Sequence, residues 1–336
     1  MRKANLVLGV LFSVALGMLP LAVRGAPKDS GAGVQDQAGL AEANKYFERG
    51  NQFVESGSLQ RAKQEYQQAL KAYPGHLAAL YNLGIVYERL GQKGEAIEQY
   101  KRYLEIKPRD ADVWTQIGVL YEETVNKQEA RNAYEKALEI DPKFGRALHN
   151  LGVLLKEQGD LTGAEQHLTK FVKLAEEAGH PSGDAYYSLG ILYLQELREK
   201  DAKMLLQKAI DTDPSVPYYN NAMGDAYLLE TRPDLSLVYY QKAIEKDEKY
   251  VLAYSGMGDA YVQLKERDKA VTAYRKALEL RPDYGLVYYK IGLLYENDNP
   301  AEAIKQFERY LQSGKNLQYR DEVTAKIVAL KLTLKS

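Results

Sequence analysis

The side chains that could do chemistry are few here, and their spacing argues against catalysis. The four histidines, His76, His149, His167 and His180, form no pair at helical metal-binding spacing, and no glutamate completes an HExxH pattern around them. There is no cysteine, which excludes disulfides, thiol nucleophiles and cysteine-held metals. A phosphate-cradling GxxxxGK[ST] loop is missing too: Gly314-Lys315 is followed by Asn316, and Arg309 stands where the first glycine belongs. His180-Pro181 runs on into Ser182 rather than into the aspartate of an HPD tripeptide. Carboxylates are plentiful, but no acid, base and nucleophile converge. A formal charge of −1, from 45 basic and 46 acidic residues, disfavours nucleic acid as a partner. The expectation is a non-catalytic protein with no cofactor and no metal.

What could position a binding surface instead is a repeat. Residues 251–284 read as two short amphipathic helices, with Tyr254, Met257 and Tyr261 bulky in the first and Tyr274 and Leu278 in the second. Gly258, Ala270 and Ala277 fall where the two helices would touch, and Pro282 closes the unit. The pattern returns every 34 residues. Numbering each unit from one, glycine holds position 8 at Gly50, Gly84, Gly118, Gly152, Gly190, Gly224, Gly258 and Gly292. Position 20 is alanine at Ala62, Ala96, Ala130, Ala164, Ala202 and Ala270, and tyrosine recurs at position 24 in Tyr66, Tyr100, Tyr134, Tyr240 and Tyr274. The glycines are expected where the facing helix passes too close for a side chain, with the alanines at positions 20 and 27 opposite them. Most of the 27 tyrosines fall at repeat positions, so helix-to-helix packing is their expected role. A fixed period of this length marks a stacked array in which each unit touches only its neighbours.

These positions resemble the tetratricopeptide repeat, whose signature is W-x2-L-G-x2-Y followed by Ala, an aromatic, Ala and Pro. Trp114 supplies the tryptophan once, and the resemblance covers roughly residues 43–317. It implies an all-α fold, a right-handed α-solenoid of eight stacked helix-turn-helix repeats. Four repeats are expected at 43–178, an insertion at 179–182, four more repeats at 183–317, and a C-terminal capping helix at 318–336. The cap would bury Val323, Ile327, Leu330 and Leu334 and turn a polar face outward. At the other end, Arg2 and Lys3 precede an apolar run over residues 6–23, the layout of a secretory signal peptide at 1–25. An uncleaved membrane anchor is the alternative. Residues 26–42 lack periodicity and are expected to be a flexible linker.

The resemblance further implies that positions 2, 5, 6, 9, 12 and 13 of each first helix line a groove for a peptide or protein ligand. Carried over, the groove residues are Asn51, Tyr81, Asn82, Ile85, Glu88, Thr115, Val119, His149, Asn150, Val153, Lys156, Tyr187 and Ile191. Ile85, Val119, Val153 and Ile191, flanked by Tyr81 and Tyr187, make an apolar strip suited to an amphipathic helix or an extended apolar segment. Packing of the same residues against neighbouring helices is the competing expectation. Asn51 and Asn82 match the family's carboxylate clamp, but Phe47 replaces its first cation and Asp112 and Gln116 its later ones, so the clamp is broken. Asn82 and Asn150 are expected to bond a peptide backbone, and Asp225 and Asp259 to favour a basic ligand in the later repeats. The setting that follows is an exported scaffold, in the bacterial periplasm or anchored to the inner membrane facing it. There it would help to assemble an envelope complex for pili, secretion or polysaccharide export. A promiscuous co-chaperone of exported or secretory proteins is the alternative.

Overall fold

A computed structural model describes residues 34–314 and 317–334; the signal peptide expected at 1–25 lies outside them. Among the described residues there are seventeen α-helices and no strand, and the chain is an all-α solenoid of consecutive helix pairs. It falls into two compact units that divide between Leu174 and Ala175.

The N-terminal unit holds α1 (Val34–Glu55), α2 (Leu59–Ala72), α3 (Leu77–Arg89), α4 (Lys93–Ile106), α5 (Ala111–Glu123), α6 (Lys127–Ile140), α7 (Gly145–Gln158) and most of α8 (Leu161–Glu177). The C-terminal unit holds α9 (Gly183–Gln195), α10 (Glu199–Thr212), α11 (Pro217–Leu229), α12 (Pro233–Lys246), α13 (Val251–Gln263), α14 (Arg267–Leu280), α15 (Gly285–Tyr295), α16 (Pro300–Gln312) and α17 (Arg320–Thr333). Each first helix lies against the second helix of its own repeat. One difference from the sequence-based boundaries is at the start. Helix α1 begins at Val34, so residues 34–42, expected as linker, are helix that pairs with α2.

Local chemistry starts and stops these helices. His76, Asp110, Ser182 and Asn299 cap α3, α5, α9 and α16 by accepting a backbone N–H three residues on. Pro217, Pro233 and Pro300 occupy first turns, where a missing N–H costs nothing. The turn inside each of the first seven repeats passes through one left-handed residue. It is glycine at Gly57, Gly91 and Gly159, but Val125, Leu197, Thr231 and Lys265 take the same φ near +60° in other repeats.

In six of the repeats the core holds a ring. Tyr66, Tyr100, Tyr134, Tyr240, Tyr274 and Phe307 are each fully buried, and each lies over the position-8 glycine of its own repeat. A Cβ at Gly84 would come within 2.5 Å of the Tyr100 ring, and one at Gly118 within 2.4 Å of Tyr134. The object that excludes a side chain there is therefore the position-24 ring, not the alanines expected opposite. In the repeats with leucine at that position the gap varies: 2.7 Å for Gly152 against Leu168, 3.1 Å for Gly190 against Leu206.

Helix α17 closes the C-terminal unit, packing Val323 and Ile327 on Phe307 and Tyr310 with Leu330 half-buried beside them. The expected stripe is shorter than it looked, because Leu334 is exposed. The outer face is also less polar than expected, since Val328 and Leu332 are exposed on it.

Candidate functional site

The first helices of neighbouring repeats touch within each unit, α5 with α7 and α11 with both α9 and α13, so their register positions form rows. Rows run in steps of one period, which is why Arg146 of α7 reaches Asp112 of α5, 34 residues earlier, at 2.7 Å. Burial splits the expected groove residues into two sets.

Four of them belong to the interior. Tyr81, Asn82, Ile85 and Thr115 are all at most 3 % exposed. Tyr81 packs beside Tyr100 and Tyr103, with ring centroids 5.7 and 6.0 Å away, and its hydroxyl donates to Asp112 at 3.3 Å. The Thr115 hydroxyl donates to the Ala111 carbonyl at 2.7 Å within its own helix. Asn82, expected to hold a peptide backbone, donates to Asn51 Oδ1 at 3.2 Å, and the Tyr66 hydroxyl donates to the same oxygen at 2.7 Å. The two asparagines that match the clamp are thus spent on each other and on the core ring. Where the clamp's cation would stand, Phe47 is buried.

The remainder stay half-buried: Asn51, Glu88, Val119, His149, Asn150, Val153 and Lys156 in the N-terminal unit, Tyr187 and Ile191 in the C-terminal unit. Val119 and Val153 hold the same position on α5 and α7. Beside them stands a polar chain that the sequence did not announce. Glu88 accepts the Tyr100 hydroxyl and, at 2.8 Å, the Gln116 amide; the Gln116 oxygen in turn accepts Arg146 Nη2 at 3.1 Å. Burial pushes the Glu88 carboxyl up to about 7 against the pull of these two donors. Glu122 repeats the arrangement with Tyr134 and is raised for the same reason. Lys156 has no carboxylate in ion-pair reach among the described residues, and burial lowers its pKa. His149 lies tilted against Phe171, with ring centroids 5.4 Å apart. His76 is buried, taking the Ala79 N–H on Nδ1 and facing Asn44 Oδ1 at 3.0 Å with Nε2.

In the C-terminal unit the expected acidity is partly cancelled. Lys290 of α15 sits 2.6 Å from Asp259, while among the described residues Asp225 accepts the Tyr240 hydroxyl at 2.7 Å and the Asn221 amide at 3.1 Å and has no ion-pair partner. Sequence inspection passed over Lys290, Asp184 and Arg146. The usable signal was the period, which places Asp184 one unit before Tyr218 and Asp112 one unit before Arg146.

Family models described as tetratricopeptide repeat match residues 47–111, 111–144, 133–166, 183–216 and 286–313, and one described as TPR repeat matches 258–299. No curated protein matches the chain. Among solved structures, it is similar to a tetratricopeptide repeat protein from Parabacteroides merdae ATCC 43184, with 21% identity over 76% of this chain and 99% of that one and a TM-score of 0.63. It is similar also to yeast Tom70, with 17% identity, 94% and 67% covered and a TM-score of 0.61. The Cut9–Hcn1 hetero-tetramer of the APC/C gives 20% identity, 81% and 52% covered and a TM-score of 0.59. At such identities the likeness is one of fold. With the repeat matched along most of its length and the helix pairs in place, the chain belongs to the tetratricopeptide-repeat proteins.

Proposed function

We propose that this protein is a non-catalytic interaction scaffold that holds a peptide or protein segment on the first-helix face of its N-terminal unit. The repeat fold is consistent with such a scaffold, and one observation carries the location. Val119 and Val153 remain half-exposed in register on α5 and α7, whereas Ile85, their counterpart on α3, is sealed. An apolar pair left open beside Asn150 and Lys156, which has no ion-pair partner among the described residues, suits an amphipathic segment with an acidic residue. A photo-crosslinker at position 153 in living cells, followed by mass spectrometry, should trap one stoichiometric partner. The pair Val119→Asp with Val153→Asp should abolish capture while helicity and melting stay nearly unchanged. Undiminished capture sinks the proposal; many unrelated trapped segments would instead favour a co-chaperone.

The exported setting, in the periplasm or on the inner membrane facing it, rests on the sequence of residues 1–25. A role in assembling an envelope complex is proposed on that basis and on the fold class. Separating cytosolic, periplasmic and membrane fractions tests it, and a wholly cytosolic chain would end it.

A further inference from the structure

The C-terminal unit carries a second cluster that the valine pair does not use. Tyr187 of α9 packs against Tyr218 and Tyr219 of α11, with ring centroids 4.9 and 5.7 Å away, and the latter two meet edge-on at 4.7 Å. Asp184 accepts the hydroxyls of Tyr218 and Tyr219 at 2.5 and 2.8 Å. Asp225 lies two turns after Tyr218 on α11, the helix packed against α9, and Tyr187 follows Asp184 by one turn on α9. Tyr250 caps the start of α13, the helix packed on the other side of α11.

The charges around this cluster do not balance. The groups that Asp225 feels are Asp259 and Lys290, and that pair neutralises itself at 2.6 Å. Asp184 and Asp225 have only hydroxyl and amide donors, with no cation in ion-pair reach among the described residues. Asn221, whose amide donates to Asp225, is 6 % exposed, and its own carbonyl oxygen is buried without a donor among the described residues. Burial pushes the Asp225 carboxyl up to about 7, against the hydrogen bond from Tyr240. A desolvated carboxylate without a counter-cation is costly, and tyrosine rings attract cations to their faces.

We propose that Tyr187, Tyr218 and Tyr250, with Asp184 and Asp225, form a cage for a cationic side chain, an arginine or lysine, of a bound peptide. The proposal rests on the scaffold reading in supposing a peptide partner, but it concerns a different unit. A guanidinium suits the site because its planar fork donates to carboxylates while its face stacks on rings. The arriving cation supplies the missing counter-charge and draws Asp225 into its ionised form. Binding therefore releases a proton near neutral pH and tightens as pH rises.

The test compares N-acetyl-arginine amide with N-acetyl-citrulline amide, which differ by one positive charge, as probes of the full chain by saturation-transfer NMR. Arginine should bind at least tenfold tighter than citrulline. Its affinity should rise about tenfold from pH 6 to pH 8, the change in the ionised fraction of an acid titrating near 7. Asp225→Asn keeps an acceptor for Tyr240 but removes the charge, and should cost about that tenfold and flatten the pH profile. Equal binding of the two probes, or an unaltered profile in Asp225→Asn, overturns the cage. Should Asp225→Asn fold poorly, Tyr250→Ala decides instead: undiminished arginine affinity there overturns it equally. Crosslinking at position 153 reads the N-terminal unit alone, so its success beside a failed arginine test would discard the cage and keep the scaffold.

Discussion

Replacing Gly118 by alanine sets two known effects against each other. Alanine inside a helix gains about 0.8–1.0 kcal/mol over glycine. At Gly118, however, the new methyl would stand 2.4 and 2.6 Å from two carbons of the Tyr134 ring. That ring is fully buried and its hydroxyl is tied to Glu122, so it has nowhere to swing. Overpacking of this kind costs about 1–3 kcal/mol, leaving a net loss of about 1 and at most about 2 kcal/mol. Gly190 makes the control. Its methyl would meet Leu206 at 3.1 and 3.2 Å, distances that a shift of a few tenths of an ångström relieves. Gly190→Ala should therefore be neutral or stabilising by up to about 1 kcal/mol. Urea melts followed by circular dichroism would rank the variants by midpoint, since a repeat array need not unfold in two states. In a Tyr134→Leu background the penalty of Gly118→Ala should shrink by about 1 kcal/mol, a coupling that a double-mutant cycle isolates. If both alanine variants moved the midpoint alike, or the leucine background changed nothing, the ring-on-glycine account would be wrong.

Burial holds Glu88 near 7, above its usual 4.5, so the stability it contributes is present below about pH 4.5 and lost as pH rises through 7. At 1.36 kcal/mol per unit that is about 3 kcal/mol at most, and Glu88→Gln should flatten the fall in melting temperature between pH 5 and pH 8. An unchanged pH profile would show that the carboxyl is not desolvated. Val125 holds φ 62° with 79 % of its surface exposed, so Val125→Gly loses no packing. Relief of about 1–2 kcal/mol of left-handed strain, less about 0.5–1 for glycine's freedom in the unfolded chain, should raise the melting point slightly. A lowered melting point would mean that the valine side chain makes a contact the strain argument ignores. Val323→Asp places a charge in the seal between α17 and Phe307, and hydrogen exchange should accelerate in α15 and α16 while the N-terminal unit keeps its protection. Uniform loss of protection along the chain would contradict nearest-neighbour stacking.

The sequence by itself determined the helix pairs, because an array states each requirement many times: glycine at position 8, alanine at 20 and a ring at 24 recur at one spacing. It missed residues 34–42 of α1, which carry no repeat pattern and form helix that pairs with α2. It could not separate Ile85 from Val119 and Val153, apolar residues at one register position. Ile85 is sealed inside a core cluster that also holds Phe47, Tyr81 and Tyr100, while Val119 and Val153 stay partly open, a property of neighbours on other helices. Nor could it separate Asp225 from Asp259, two aspartates one period apart. Only the stacking of α15 on the preceding repeat brings Lys290 into ion-pair reach of Asp259 and leaves Asp225 desolvated with no cation in such reach among the described residues, because charge balance in a folded chain depends on distance through space.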